Sequence, residues 1–274
     1  MIALDQLKMP SLSAEALEAL RVMEREDADV NSVVKAVSLD PVLSATLVRY
    51  ANSPARRTNR EVTSVQAAVS LMGMRSVRGA IMVAAMRGFA ENEHPLARML
   101  WEQSMVLATL ARSLAGRVHR QHADAAELVG MMHNIGAQVL LTNYPDRYQS
   151  MLDSARQSGQ LIHEAEREVF GLHRGELMAM LGDRFRLPAV TVEVLSAYHE
   201  GALPQGDRGE SDALLAMLWL AQITACRSSI STSWPAEYLP LELDVLKQQL
   251  AIDDDELLDL SEDCELLLNE RFAF

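Results

Sequence analysis

The sequence predicts an all-α protein. Apolar residues recur at the helical period in nearly every segment, no segment alternates convincingly at period two, and helix-start residues stand where the stripes begin. Leu12, Ala16, Leu20 and Met23 form the first stripe, with Ser11 or Ser13 as its N-cap. Val30, Val33, Val34 and Val37 form the second, capped by Asp29 or Asn31. Asp40-Pro41 opens the third: Asp caps, and Pro at the first helical position loses no hydrogen bond. The polar run 53–60 breaks the rhythm as a loop; Ser64 then caps a helix that Gly73 ends. Further helices are expected over 75–90, 96–117, 124–142, 145–158, 161–170, 174–186 and 188–200. A polar, Gly-containing stretch from Gly201 to Ser211 reads as a linker, followed by helices near 211–231, 240–251 and 254–270.

Composition narrows the function classes. The 274 residues are 49% hydrophobic and 23% charged, which is ordinary for globular domains. A net charge of −13, from 25 basic and 38 acidic residues, argues against a nucleic-acid binder, because phosphate neutralisation supplies most of such affinity. Cys226 and Cys264 lack metal-ligand spacing and make no disulfide framework. Met1 to Pro10 has no apolar core, so no signal peptide is expected. The longest apolar run, Leu214 to Ala225, is too short to span a bilayer. A soluble, cytoplasmic protein is the expectation.

Several motifs occur in order. The first half carries Pro10 with Leu12, Leu39-Asp40-Pro41-Val42-Leu43, Ala51-Asn52-Ser53, and Thr63 to Ala68 running on to Leu71-Met72-Gly73. The second half carries Trp101 to Ser104, Leu128 to Gly136 with Val139-Leu140, Glu166, Gly171, His173, Leu187-Pro188 and Tyr198-His199. Together these resemble the HDOD family, signalling relatives of the HD and HD-GYP metal-dependent phosphohydrolases, over roughly residues 8–202. The resemblance rests on the motifs, not on composition or periodicity. It implies a multi-helix bundle in two lobes, the second an HD-like helical core. The implied domain is 1–205, with an N-terminal lobe over about 1–92 and the HD-like lobe over about 93–205. Residues 206–274 would be a helical C-terminal extension.

In catalytic HD relatives an early His, a His-Asp pair and later histidines surround one or two metals. Here the early His position is Gln103, the paired acid is Asn134, and the position of the HD-GYP lysine is Ala137. The expected Gly four residues after His173 is Leu177. His133, His173 and His199 are the surviving relic candidates. An amide keeps the shape of a carboxylate but not the anionic oxygen that balances a divalent cation. No metal or other cofactor is therefore expected, with a single divalent ion as the open alternative, held by the three histidines and a carboxylate from Glu164, Glu168 or Glu200. Gln103 and Asn134 could instead hydrogen-bond across the space.

Other clusters have two readings each. Arg56, Arg57 and Arg60, followed by Arg75 and Arg78, form either an anion- or partner-binding patch or a solvated surface. His119 and His122 have a spacing that could hold a metal, or lie on the surface. Met131, Met132, Met178, Met180 and Met217 read as core filler, or as a deformable partner face. Trp219 reads as core of the extension, which is where partner specificity would be sought.

Two functions follow from the resemblance. One is a non-catalytic bacterial signal-transduction module acting through protein contacts or small-ligand sensing. Its partners would be signalling proteins such as receivers, kinases or cyclic-dinucleotide turnover proteins. The other is a residual phosphohydrolase or phosphodiesterase acting on nucleotides or cyclic dinucleotides, in which metal-activated water attacks phosphorus. A scaffold without any ligand is a variant of the first.

Overall fold

The structure is a computed structural model that describes residues 7–8, 13–25, 27–52, 61–90, 94–185, 187–206, 209–227, 243–259 and 262. Every regular element among them is helical. The chain divides into two compact units, Pro10–Gly88 and Phe89–Leu266, the latter joined by Met1–Met9.

In the smaller unit, capping chemistry sets the helix starts. Helix α1 (Ala14–Met23) is capped by Ser13, whose hydroxyl accepts from the Ala16 amide. Helix α2 (Val30–Val37) begins with a capping box between Asp29 and Ser32, and α1 packs on it. Helix α3 (Pro41–Ala51) opens at Asp40, whose Oδ1 accepts from Val42 N at 2.8 Å and Leu43 N at 3.1 Å. Asn52 then closes the following loop: its amide donates to Val62 O and its carbonyl accepts from Val62 N. Helix α4 (Val65–Ala90) starts under Ser64 and is interrupted at Gly73, where φ is 73°, in a region that glycine enters without steric cost. The helix expected to end at Gly73 does end there, and a second helical stretch runs on to Ala90. Leu20, Val33, Val37, Leu47, Val69 and Ile81 are wholly buried and form this unit's core.

The larger unit is built around α5 (Pro95–Val118). One 3₁₀ turn, Arg120–His122, leads into α6 (Ala123–Met132), which lies against α5. Gly130 permits this approach, since a Cβ there would meet Ala108 N at 2.6 Å. Next come α7 (Ile135–Asn143), α8 (Pro145–Ser158) and α9 (Ile162–Phe170). They are followed by α10 (Leu177–Phe185), α11 (Ala189–His199), α12 (Glu210–Arg227) and α13 (Leu243–Leu250). The single helix expected over 124–142 is in fact two, because the backbone leaves the helical path at Asn134, whose side chain bonds Leu100 and Gln103 of α5. Helix α10 likewise begins three residues later than expected. His173, Arg174 and Gly175 form a turn in which Glu176 accepts from the His173 amide.

Helix α12 packs on α5, α6, α11 and α13. Every residue from Ala213 to Ala225 is buried, Trp219 at 2% exposure. The extension's first helix is therefore core of this unit and not a free partner surface. Met131, Met132, Met178 and Met217 are also buried, as core filler requires, while Met180 is half-buried. Arg56, Arg57, Arg60 and Cys264 lie outside the described residues. No described helix is long and apolar enough to cross a membrane.

Candidate functional site

The site lies inside the larger unit, where the α6–α7 junction, the turn before α10 and the end of α11 converge. His133 is 1% exposed, and its Nδ1–H donates to Gly130 O at 2.7 Å. That fixes the tautomer: Nε2 carries the lone pair, is buried, and has no partner. His199 donates from Nε2 to His133 O at 2.7 Å. His173 is oriented the other way, with Nδ1 accepting from Gly175 N at 3.1 Å, so its proton sits on Nε2, which has no hydrogen-bond partner. Three imidazoles thus share one region, but their ring nitrogens do not aim a common set of lone pairs at one point. Among the described residues, no three His, Cys, Asp or Glu side chains form a group able to hold a metal ion.

Gln103, in the third turn of α5 and on its buried face, meets Asn134. The Asn134 amide donates to Gln103 Oε1 at 2.9 Å and to Leu100 O at 3.2 Å. The Asn134 carbonyl accepts from Arg174 Nη1 at 3.2 Å. Gln103 is 1% exposed, and its own Nε2 is a buried donor without a partner.

Arg174 is the hub. Its Nε donates to Glu166 Oε1 at 2.8 Å, its backbone N–H to Glu166 Oε2 at 2.8 Å, and its Nη2 to Tyr148 OH at 2.9 Å. Tyr148 in turn donates to Glu166 Oε1 at 2.9 Å. Arg174 is 4% exposed and Glu166 wholly buried. A buried ion pair survives only when its remaining donors and acceptors are also met, and this one meets them. The close approach needs Gly136, where a Cβ would lie 2.4 Å from Arg174 O.

Burial lowers all three histidines, and the Arg174 guanidinium adds to it at His133 and His199. His133 is pushed down to about 4, first by desolvation and then by Arg174, against the opposing bond to Gly130. Burial and Arg174 hold His199 well below its ordinary value. Burial lowers His173, with Arg167 adding to it. All three are neutral near pH 7.

One wall is aromatic. Tyr198 lies with its ring centroid 4.2 Å from that of Trp219 and meets His133 edge-on at 6.4 Å. Trp219 donates to Ala202 O at 2.8 Å. The cavity between this wall, His163, His199 and Arg174 measures about 30 Å³. That is room for about two water-sized groups.

The carboxylates named from the sequence are elsewhere. Glu164, Glu168 and Glu200 all face solvent, Glu168 accepting from Gln160. Glu164 and Glu168 lie on the side of α9 opposite its buried face of Ile162, Ala165, Glu166 and Phe170. The acid buried in this site is Glu166, one of the motif residues. An acid on an apolar stripe was a readable signal; Arg174 and Tyr148 had none beyond adjacency to His173 and burial-prone chemistry. His119 and His122 stand apart from this site, with His122 bonded to Glu210 at 3.1 Å. Arg75 is exposed on α4, in the smaller unit.

Comparison with known proteins places this helical architecture. The HDOD domain family matches residues 9–201, and the chain belongs to that family. An HDOD domain protein of Geobacter sulfurreducens is 21% identical with a TM-score of 0.72, over 97% of this chain and 94% of that one. A Marinobacter aquaeolei protein, provisionally described as a signal transduction protein, is 22% identical with a TM-score of 0.74, over 98% of this chain and 59% of that one. A Shewanella amazonensis protein, provisionally described as a phosphohydrolase, is 23% identical with a TM-score of 0.67, over 97% of this chain and 95% of that one. The Bacillus subtilis protein YuxH is 23% identical over 114 residues, 42% of this chain and 28% of that protein's length. These likenesses carry the fold.

Proposed function

We propose that this chain is a non-catalytic bacterial regulatory module whose HD-type site has become a packed polar core. The observation that carries the reading is the bond from Asn134 to Gln103. The two positions where a metal site would need an anionic oxygen and an imidazole carry amides spent on each other. The donor set as a whole does not suit a divalent ion: Glu166 is taken up by three donors, and of the ring nitrogens only His133 Nε2 is an unpartnered buried acceptor. At the histidines themselves the small cavity favours a packed core over capture of a nucleotide-sized ligand. Signalling partners such as receivers, kinases or cyclic-dinucleotide turnover proteins, met in the cytoplasm, fit this role. The provisional description of the Marinobacter relative is in keeping with it.

The bare Nε2 of His133 is what favours the second reading, a residual metal-dependent phosphohydrolase acting on nucleotides or cyclic dinucleotides. Metal content of the purified full chain, followed by a phosphodiesterase assay with added Mn²⁺, separates the two. The expected result is no stoichiometric metal and no turnover. Turnover with bound metal, both abolished by His133→Ala, establishes the enzyme instead.

A further inference from the structure

We propose that Arg174 serves as an internal, covalently attached cation that holds the site together and keeps metal ions out of it. This deepens the regulatory reading and rests on it. The guanidinium lies among the groups a cation would seek: it acts electrostatically on His133 and His199, and it bonds Asn134 and Glu166 directly. Glu166 is wholly buried, so its charge requires a partner of opposite sign on site. Arg174 provides that partner in a fork that a spherical ion could not copy. Nε reaches Glu166, Nη1 reaches Asn134 and Nη2 reaches Tyr148, so residues of α7's start, α8 and α9 close around one side chain. The Tyr148 hydroxyl both accepts from Arg174 and donates to Glu166, which completes a ring of bonds.

The consequence is specific. A divalent cation beside a fixed guanidinium meets like-charge repulsion at contact distance in a poorly solvated space. Restoring ligands at positions 103 and 134 is then insufficient while the guanidinium remains. The tie to Asn134 is also matched to an amide, because Asn134 donates to two oxygens, Leu100 O and Gln103 Oε1, that a carboxylate would repel.

The test compares full-length chains carrying Gln103→His with Asn134→Asp, with and without Arg174→Gln. Each is titrated with Mn²⁺ and with Zn²⁺, and metal retained after dialysis is counted. Removal of the guanidinium is expected to raise metal affinity by about 100-fold or more. Equal binding with and without Arg174 overturns the proposal, as does absence of binding in both. If Arg174→Gln leaves Glu166 uncompensated and the chain fails to fold, the same comparison is made with Glu166→Gln added, which removes the stranded charge. Stoichiometric metal in the unaltered chain would sink the regulatory reading of the site. Metal held as tightly by the doubly restored chain with Arg174 intact as by the one without it would sink only this inference.

Discussion

His133 ties the stability of the larger unit to pH. Its imidazole titrates near 6.5 when exposed and at about 4 in the folded chain, mainly because burial disfavours the charged form. Between those values the unfolded chain holds more protons, so stability rises with pH there. The contribution is complete above about pH 6.5 and is lost as pH falls towards 4, a change of about 3 kcal/mol from this residue. His199 and His173 are shifted the same way and steepen the loss. Urea unfolding at a series of pH values between 7.5 and 4.5 measures the slope. His133→Asn is expected to flatten it even where its stability at pH 7.5 is lower; an unchanged slope would mean that other groups control the acid limb.

Helix junctions make a second prediction, because the glycines of this chain differ in what surrounds them. Gly136 sits in the first turn of α7 against the backbone of Arg174, with no space for a methyl group. Gly136→Ala is expected to cost about 2 kcal/mol by pushing α7 off the Arg174 turn. Gly116, near the exposed end of α5, has nothing within 4 Å of its would-be Cβ. Gly116→Ala is expected to stabilise by about 0.5 kcal/mol through helix propensity alone. Thermal melts of the two variants should therefore move in opposite directions. The same helices show what local reading can reach. Caps at Ser13, Asp29, Asp40 and Ser64, and the break at Gly73, were legible because each involves residues within four positions of one another. The break between α6 and α7 was not, since apolar periodicity runs straight through it.

For the larger unit, α12 decides whether the HD-like helices stand alone. Its buried face meets α5, α6 and α11, and Trp219 covers Tyr198 beside His133. A chain ending after Gly206 would expose α5 and the aromatic wall together. It is expected to lose cooperative unfolding and to bind a hydrophobic dye strongly. Recovery of a cooperatively melting, dye-silent fragment would show that α12 is dispensable. Partner capture is accordingly best done with the full chain and point variants.

The amino-acid sequence by itself determined the all-helical class, the principal helix starts, the HDOD motifs and the amides at Gln103 and Asn134. These follow from residue identity and from interactions confined to neighbouring turns. Only the tertiary structure decided which carboxylate is buried, how each histidine spends its ring nitrogens, that α12 is core, and that Arg174 stands among the relic ligands. Arg174 and Asn134 lie 40 residues apart. No local pattern encodes that meeting; it arises only when packing brings α7, α9 and the turn before α10 into one buried space, where an unpaired charge costs too much to leave unmet.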